Sequence, residues 1–262
     1  MKILRPGVDL DTFFAEVRGA PRRGLLLDYD GTLAPFADDR MAAWPYPGVR
    51  ELLRRLIQAG GSRVVIVSGR PVSDVLHLLR LQVGCEIWGV HGWERLRDDG
   101  SDASMRPAPE QRDALRKAQA LVPAALRGAL EEKSASLALH WRGTTPDARQ
   151  RLEQQMRPAW SALAQREGLE LHGFDGGLEL RIPGRDKGLA VRTIAEELGP
   201  GGALAYLGDD LTDEDAFRAM RGHGLGVLVR EALRPTEADC WIVPPEELLA
   251  FLERWLHSLP PA

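Results

Sequence analysis

The chain has 262 residues, a hydrophobic fraction of 44% and a charged fraction of 27%, an ordinary globular composition that excludes disordered and membrane classes. Its length suits one large core, or a core with a smaller inserted unit. The net charge is -4 and the arginines are scattered among acidic residues, so no basic tract invites a nucleic acid.

The N-terminal stretch MKILRPGVDLDTFF has neither a continuous apolar region nor a small-residue cleavage site, and no apolar run is long enough to span a bilayer. The expectation is a cytoplasmic protein with no membrane partner. From Arg23 to Trp93, short apolar runs alternate with amphipathic helices. Leu25 to Leu27 read as a buried strand, and PGVRELLRRLIQAGG as a helix with Val49, Leu52, Leu53, Leu56 and Ile57 on one face, stopped by Gly60 and Gly61. Val64 to Val67 form a second strand. Ser68 to Pro71 form a turn, with Pro71 in the first turn of the next helix. Cys85 to Val90 form a third strand. Strands alternating with helices predict a parallel sheet covered on both faces. Cys85 and Cys240 are far apart in apolar runs and read as buried thiols.

The segment DDGSDAS (Asp98 to Ser104) reads as a flexible linker. Beyond it, from about Pro107 to Glu179, the pattern changes to helices and alternating strands, with Leu137, Leu139 and Trp141 on one side. This predicts a small antiparallel α+β unit. After Lys187 the first pattern returns: KGLAVRTIAEELG as helix, ALAYLG as strand, TDEDAFRAM as helix, LGVLV and CWIV as strands, and PEELLAFLERWL as the closing helix. The fold class is therefore α/β: a doubly wound parallel-sheet core at 1–106 and 183–262, with an inserted α+β unit at 107–182.

In open α/β sheets the active crevice lies beyond the carboxyl ends of the strands. Reading off the residues that follow the buried strands gives Asp28 and Asp30, then Ser68, Gly69 and Arg70, then His91 and Gly92, then Asp209 and Asp210; Lys187 heads a helix. Carboxylates crowded at one point shift toward protonation unless a cation neutralises them. An all-oxygen ligand set favours a hard ion such as Mg²⁺. A lysine and a hydroxyl beside such an ion suit a phosphoryl group, and a carboxylate is itself a nucleophile toward phosphorus. Each piece alone is also a common structural device: an acidic turn, a helix cap, a solvated lysine.

Taken in order, DYDGTL, SGR, DKG and GDDLTDEDAF resemble the four motifs of the haloacid dehalogenase-like (HAD) phosphohydrolase superfamily. GVHGWE, EEKSASLALHWR, LELR and YLGDDLTDEDAF further resemble segments of trehalose-6-phosphate phosphatases, from Leu25 to about Leu252. The resemblance implies Asp28 as nucleophile and metal ligand, Asp30 as general acid and then base with its carbonyl on the metal, and Asp209 as a further Mg²⁺ ligand. It implies Ser68 and Thr32 on the phosphoryl oxygens and Lys187 on the nucleophile and phosphate. Gly31, Gly69, Arg70, Asp210 and Asp213 are expected to bind the phosphate or support the site. The inserted unit would be a cap, with Glu131, Lys133 and Glu179 on the distal glucose, and His91, His140 and Arg142 as further contacts. Glu131 and Lys133 could equally be a solvated strand edge. The small-molecule partner would be a sugar phosphate; a trehalose-phosphate synthase is a possible protein partner, and the chain is expected to be a monomer. Rival readings are the same chemistry on sucrose phosphate or on mannosyl- or glucosylglycerate phosphate, a phosphomannomutase-like transfer, and a non-catalytic sugar-phosphate-binding regulator.

Overall fold

Leu25, Leu26 and Leu27 are completely buried, and successive side chains enter two different cores, as the period of two of a strand requires. The strand they form has a core on each face. The computed structural model describes residues 1–81, 84–141, 143–174 and 176–260. The chain divides into two compact units, Met1–Ala103 with Asp186–Ala262, and Ser104–Arg185, against the expected insertion at 107–182.

In chain order the first unit begins with β1 (Lys2–Ile3), α1 (Leu10–Gly19), β2 (Arg23–Leu27), α2 (Val49–Ala59), β3 (Arg63–Val67), α3 (Val72–Leu79), β4 (Glu86–Gly89) and β5 (Glu94–Leu96). The second unit comprises α4 (Pro109–Ala120), β6 (Leu130–Glu132), β7 (Ser136–His140), α5 (Pro146–Glu167), β8 (Glu170–Phe174) and β9 (Gly177–Arg181). The first unit then resumes with α6 (Lys187–Leu198), β10 (Ala203–Gly208), α7 (Glu214–Met220), β11 (Gly224–Val229), β12 (Cys240–Ile242) and α8 (Glu246–His257).

The first unit's sheet has the order β1-β12-β11-β10-β2-β3-β4-β5. The six strands from β12 to β4 run parallel, while β1 and β5 add antiparallel edges. The central strands form the expected parallel sheet; the two antiparallel edges add to it, and each is too short and polar to carry an apolar strand signature. On one face α1, α2, α3 and α8 pack over Leu25, Leu27, Val64, Ile66 and Leu207. On the other, α6 and α7 pack over Leu26, Val65, Leu204 and Tyr206. Burying each leucine of this kind contributes about 1.5–3 kcal/mol. Helix α1 was not foreseen from sequence, although Asp9 caps it through Asp11 N–H and Phe13, Phe14 and Val17 bury one face.

Three local expectations change. The third strand ends at Gly89, because Val90 and His91 take left-handed φ values of 47° and 52°, which a β-branched valine adopts only under strain. Pro71 is the cap of α3 and lies outside its first turn. Asp98 to Ser104 is a hydrogen-bonded turn: Arg97 N–H donates to Ser101 O at 2.9 Å, Ala103 N–H donates to Arg95 O at 2.8 Å, and Asp99 Oδ1 accepts from Ser101 N–H at 2.8 Å. Cys85 and Cys240 are buried free thiols, as expected. No helix among the described residues is long and apolar enough to cross a membrane.

The second unit's sheet, β6-β7-β9-β8, is antiparallel throughout. Leu137, Leu139, Leu178 and Leu180 are buried on its apolar face, with α4 against β7 and α5 against β8 and β9. Its other face carries a row that crosses all four strands: Glu131, Ala138, Glu179 and His172.

Candidate active site

The order β10-β2-β3 places the carboxyl end of β2 where the chain's crossovers diverge, the usual position of an α/β crevice. Asp28 leaves β2 with its N–H on Leu207 O at 2.8 Å, so it is tied to β10, and Asp209 follows the end of β10. Gly31 has a φ of +79°, and a Cβ there would lie 2.1 Å from Asp209 Oδ2. Only glycine lets the β2 loop close on that carboxylate. Ser68, after β3, is 1% exposed. Lys187, at the start of α6, reaches Asp28 Oδ1 and Asp213 Oδ1, each at 2.7 Å. The structure thus brings Asp28, Asp209, Asp213 and Lys187 together, four residues spread over nearly the whole first unit.

Burial and the neighbouring Asp213 charge push the Asp28 carboxyl up to about 7, against the pull of Lys187. Burial, Asp28 and Asp213 likewise hold Asp209 well above the usual carboxylate range. Burial alone would lower Lys187, but Asp213 and Asp28 outweigh it and keep the ammonium charged. Arg230, 4.0 Å from Asp209, is too distant for a hydrogen bond. Among the described residues, three buried carboxylates share one close ammonium, an imbalance that a divalent cation would correct.

Oxygens of Asp28, Asp209 and Asp213 lie within 4.8 Å of one another. Asp213, however, is already saturated: Oδ1 accepts from Lys187 and, at 2.5 Å, from Tyr206 OH, while Oδ2 accepts from the N–H groups of Asp209 at 3.1 Å and Asp210 at 2.9 Å. Asp209 Oδ1 is buried without a hydrogen-bond partner among the described residues. The donor set therefore fits a hard divalent cation on Asp28 and Asp209, with Asp213 holding the loop and the lysine. Thr32 Oγ1 is a second buried polar atom without such a partner.

Asp30 is held differently. Arg70 donates from Nε to Asp30 Oδ2 at 2.6 Å and from Nη2 to Oδ1 at 2.7 Å. The guanidinium expected to support the phosphate is spread across the second aspartate. Ser68 Oγ accepts from Arg70 N–H at 3.1 Å. The strained turn after β4 lays the His91 ring against Gly69, where a Cβ would meet His91 Cε1 at 2.6 Å. Trp93 beside it is buried. Asp210 caps the turn Leu211–Asp213 through Leu211 N–H at 2.7 Å.

In the second unit, Glu179 is 2% exposed. Its Oε1 accepts from Lys133 at 2.9 Å and Ser136 at 2.7 Å, and its Oε2 accepts from Arg181 Nε at 2.7 Å. His140 Nε2 lies 2.8 Å from Glu131 Oε2. The Glu131 and Lys133 side chains are only 8% exposed, which removes the reading of a solvated strand edge. Arg142 lies outside the described residues.

Two supporting residues escaped the sequence. Tyr206, inside an apolar strand, carries the hydroxyl on Asp213; burial and that carboxylate push its phenol up, so it remains a donor. Arg234 donates to Asp210 O at 2.7 Å and to Asp209 O at 3.2 Å and pairs with Glu214, which pins the loop that carries Asp209. Its only sequence signal was a lone arginine in a polar loop.

A family model described as trehalose-phosphatase matches residues 26–239. An uncharacterised glycosyl hydrolase of Mycobacterium tuberculosis is 36% identical over 220 residues, which cover 80% of this chain and 16% of that protein. The trehalose-phosphate phosphatase of Mycobacterium marinum is 34% identical over 256 residues, covering 91% of this chain and 63% of that protein. The chain thus spans less than two thirds of either relative. The C-terminal domain of the C. albicans trehalose-6-phosphate phosphatase matches with a TM-score of 0.80 at 22% identity, over 98% of this chain and 99% of that one. The haloacid dehalogenase-like fold expected from the motifs recurs among further solved structures. Because the family match runs from the middle of β2 to the threshold of β12 and takes in every strand end described above, the chain belongs to the trehalose-phosphatase family.

Proposed function

We propose that this chain is a Mg²⁺-dependent phosphomonoesterase that hydrolyses trehalose 6-phosphate to trehalose and phosphate through an aspartyl-phosphate on Asp28. The observation that carries this reading is the buried cluster in which Lys187 holds Asp28 at 2.7 Å beside Asp209, whose Oδ1 has no hydrogen-bond partner among the described residues. Membership of the trehalose-phosphatase family supports the substrate.

Asp28 attacks phosphorus while Lys187 favours its ionised form and offsets charge on the phosphoryl oxygens. Thr32 and Ser68 donate hydroxyl hydrogen bonds to those oxygens, with Gly31 and Gly69 allowing close main-chain approach. Asp30 gives its proton to the departing sugar oxygen and later takes one from the attacking water. Asp28, Asp209 and the Asp30 carbonyl would hold the cation, which when bound neutralises carboxylate and phosphoryl charge. Asp210 and Asp213 keep the Asp209 loop and Lys187 in place. Sugar recognition is assigned to Glu131, Lys133 and Glu179, with His91 and His140 as further contacts. A trehalose-phosphate synthase would supply the substrate.

The test is phosphate release from a panel of trehalose 6-phosphate, glucose 6-phosphate, sucrose phosphate and glucosylglycerate phosphate, with Mg²⁺ and with a chelator. Trehalose 6-phosphate should be hydrolysed at least about 100-fold faster than glucose 6-phosphate, a discrimination typical of hydrogen-bonded sugar recognition, and only with the cation present. A different best substrate would reassign the sugar. Absence of turnover on every ester would favour a binding regulator.

A further inference from the structure

Tyr29 separates the two aspartates of the DYD stretch, and its side chain leaves the site: the ring is fully buried and its hydroxyl donates to Ala43 O at 2.7 Å. One face of that ring nevertheless returns to the chemistry. The Arg70 guanidinium lies over it, 5.6 Å from the centroid, within cation–π range. From this platform its two arms reach both Asp30 oxygens, at 2.6 and 2.7 Å. The main chain of Arg70 is fixed as well, by Ser68 Oγ on its N–H at 3.1 Å and by Val90 N–H on its carbonyl at 2.9 Å. The Arg70 side chain is 9% exposed and that of Asp30 27%. A buried, doubly anchored fork thus holds the more open of the two aspartates.

We infer that Arg70, braced by Tyr29, is a positioning residue for Asp30 and acts on that carboxylate instead of on the phosphoryl group. The inference rests on the phosphomonoesterase reading. In the first half-reaction the bond from phosphorus to the sugar oxygen breaks, a bond from phosphorus to an Asp28 oxygen forms, and a proton passes from Asp30 to the sugar oxygen. In the second, a water oxygen bonds to phosphorus, the bond to Asp28 breaks, the water proton passes to Asp30, and inorganic phosphate leaves. Both transfers require one Asp30 oxygen to face the reacting oxygen. A planar fork can release that oxygen and keep the other, whereas a point charge on a flexible stem cannot hold the plane. The clamp should therefore matter in proportion to how much the leaving oxygen needs a proton.

The experiment measures kcat/KM for a series of monoesters, p-nitrophenyl phosphate, phenyl phosphate, glucose 6-phosphate and trehalose 6-phosphate, on wild type, Arg70→Lys and Tyr29→Phe. Arg70→Lys should lose about 100-fold on the sugar esters and less than about threefold on p-nitrophenyl phosphate, whose leaving group needs no proton. Tyr29→Phe, which keeps the ring but releases it from Ala43, should show the same selective loss in smaller measure. It provides the reading if Arg70→Lys does not fold. Equal losses on every ester, or no loss, with an active wild type would overturn the positioning role alone. A wild type inactive on all four esters would overturn the phosphatase reading and this role together.

Discussion

Lys187 Nζ lies 2.7 Å from Asp28 Oδ1, and both side chains are 4% exposed. The same ammonium is 2.7 Å from Asp213 Oδ1, so one cation holds two buried carboxylates. Removing it strands both charges. Lys187→Met is expected to destabilise the fold by about 3–5 kcal/mol in urea unfolding, as for other broken buried pairs, and to cut phosphate release at least about 100-fold. A variant as stable as wild type would mean that the carboxylates do not depend on the lysine.

Thr32 is completely buried and its hydroxyl has no hydrogen-bond partner among the described residues. An unpaired buried hydroxyl costs about 1–3 kcal/mol, so Thr32→Val should leave stability unchanged or raise it by about 1 kcal/mol while lowering turnover. Thermal unfolding and phosphate release, measured on one preparation, separate the two effects. Loss of stability would show that the hydroxyl already has a structural partner.

Gly31 combines a φ of +79° with a Cβ position 2.1 Å from Asp209 Oδ2. Gly31→Ala must therefore strain the loop and displace Asp209. Affinity for Mg²⁺, measured by calorimetry on the folded variant, should fall at least about tenfold, the usual consequence of disturbing a ligand's support. Unaltered affinity would remove Asp209 from the cation site.

Away from the site, Glu86 and Glu197 share Arg63 and Arg95, with Glu86 1% exposed and the Glu197 side chain 36%. Partial burial raises the Glu197 carboxyl, but hydrogen bonds from Arg63 and Arg95 outweigh it and hold it below its ordinary 4.5. Such a carboxylate adds stability above its unfolded pKa and loses it as pH falls through the folded one. Glu197→Gln should therefore cost no more than about 1 kcal/mol near neutral pH, given its exposure, and less below about pH 4. Urea titrations of both proteins at the two pH values check the sign: a difference that grows on acidification contradicts it.

What the sequence made legible was the framework in which every strand is apolar throughout. Leu25 to Leu27, Val64 to Val67 and Ala203 to Gly208 are buried on both faces, so their composition alone marks them, and the residues after them form the candidate site. Short polar edges such as β5, with Glu94, Arg95 and Leu96, carry no such pattern and were missed. Supporting side chains were harder still. Tyr206 in a buried strand reads as core, and Arg70 meets Asp30 across 40 positions of sequence, a pairing set by tertiary placement that local spacing does not encode. Tyr29, between two aspartates, carries no sequence sign of the guanidinium that lies over its ring.

The most direct test of the account is phosphate release from trehalose 6-phosphate with Mg²⁺ by wild type and by Asp28→Asn. The variant keeps the size of the side chain and removes the nucleophile. Turnover should fall by at least about 10³-fold, as for other nucleophile deletions, while circular dichroism and thermal unfolding report an intact fold. Trehalose 6-phosphate hydrolysis at the wild-type rate by a folded Asp28→Asn protein would contradict the aspartyl-phosphate route.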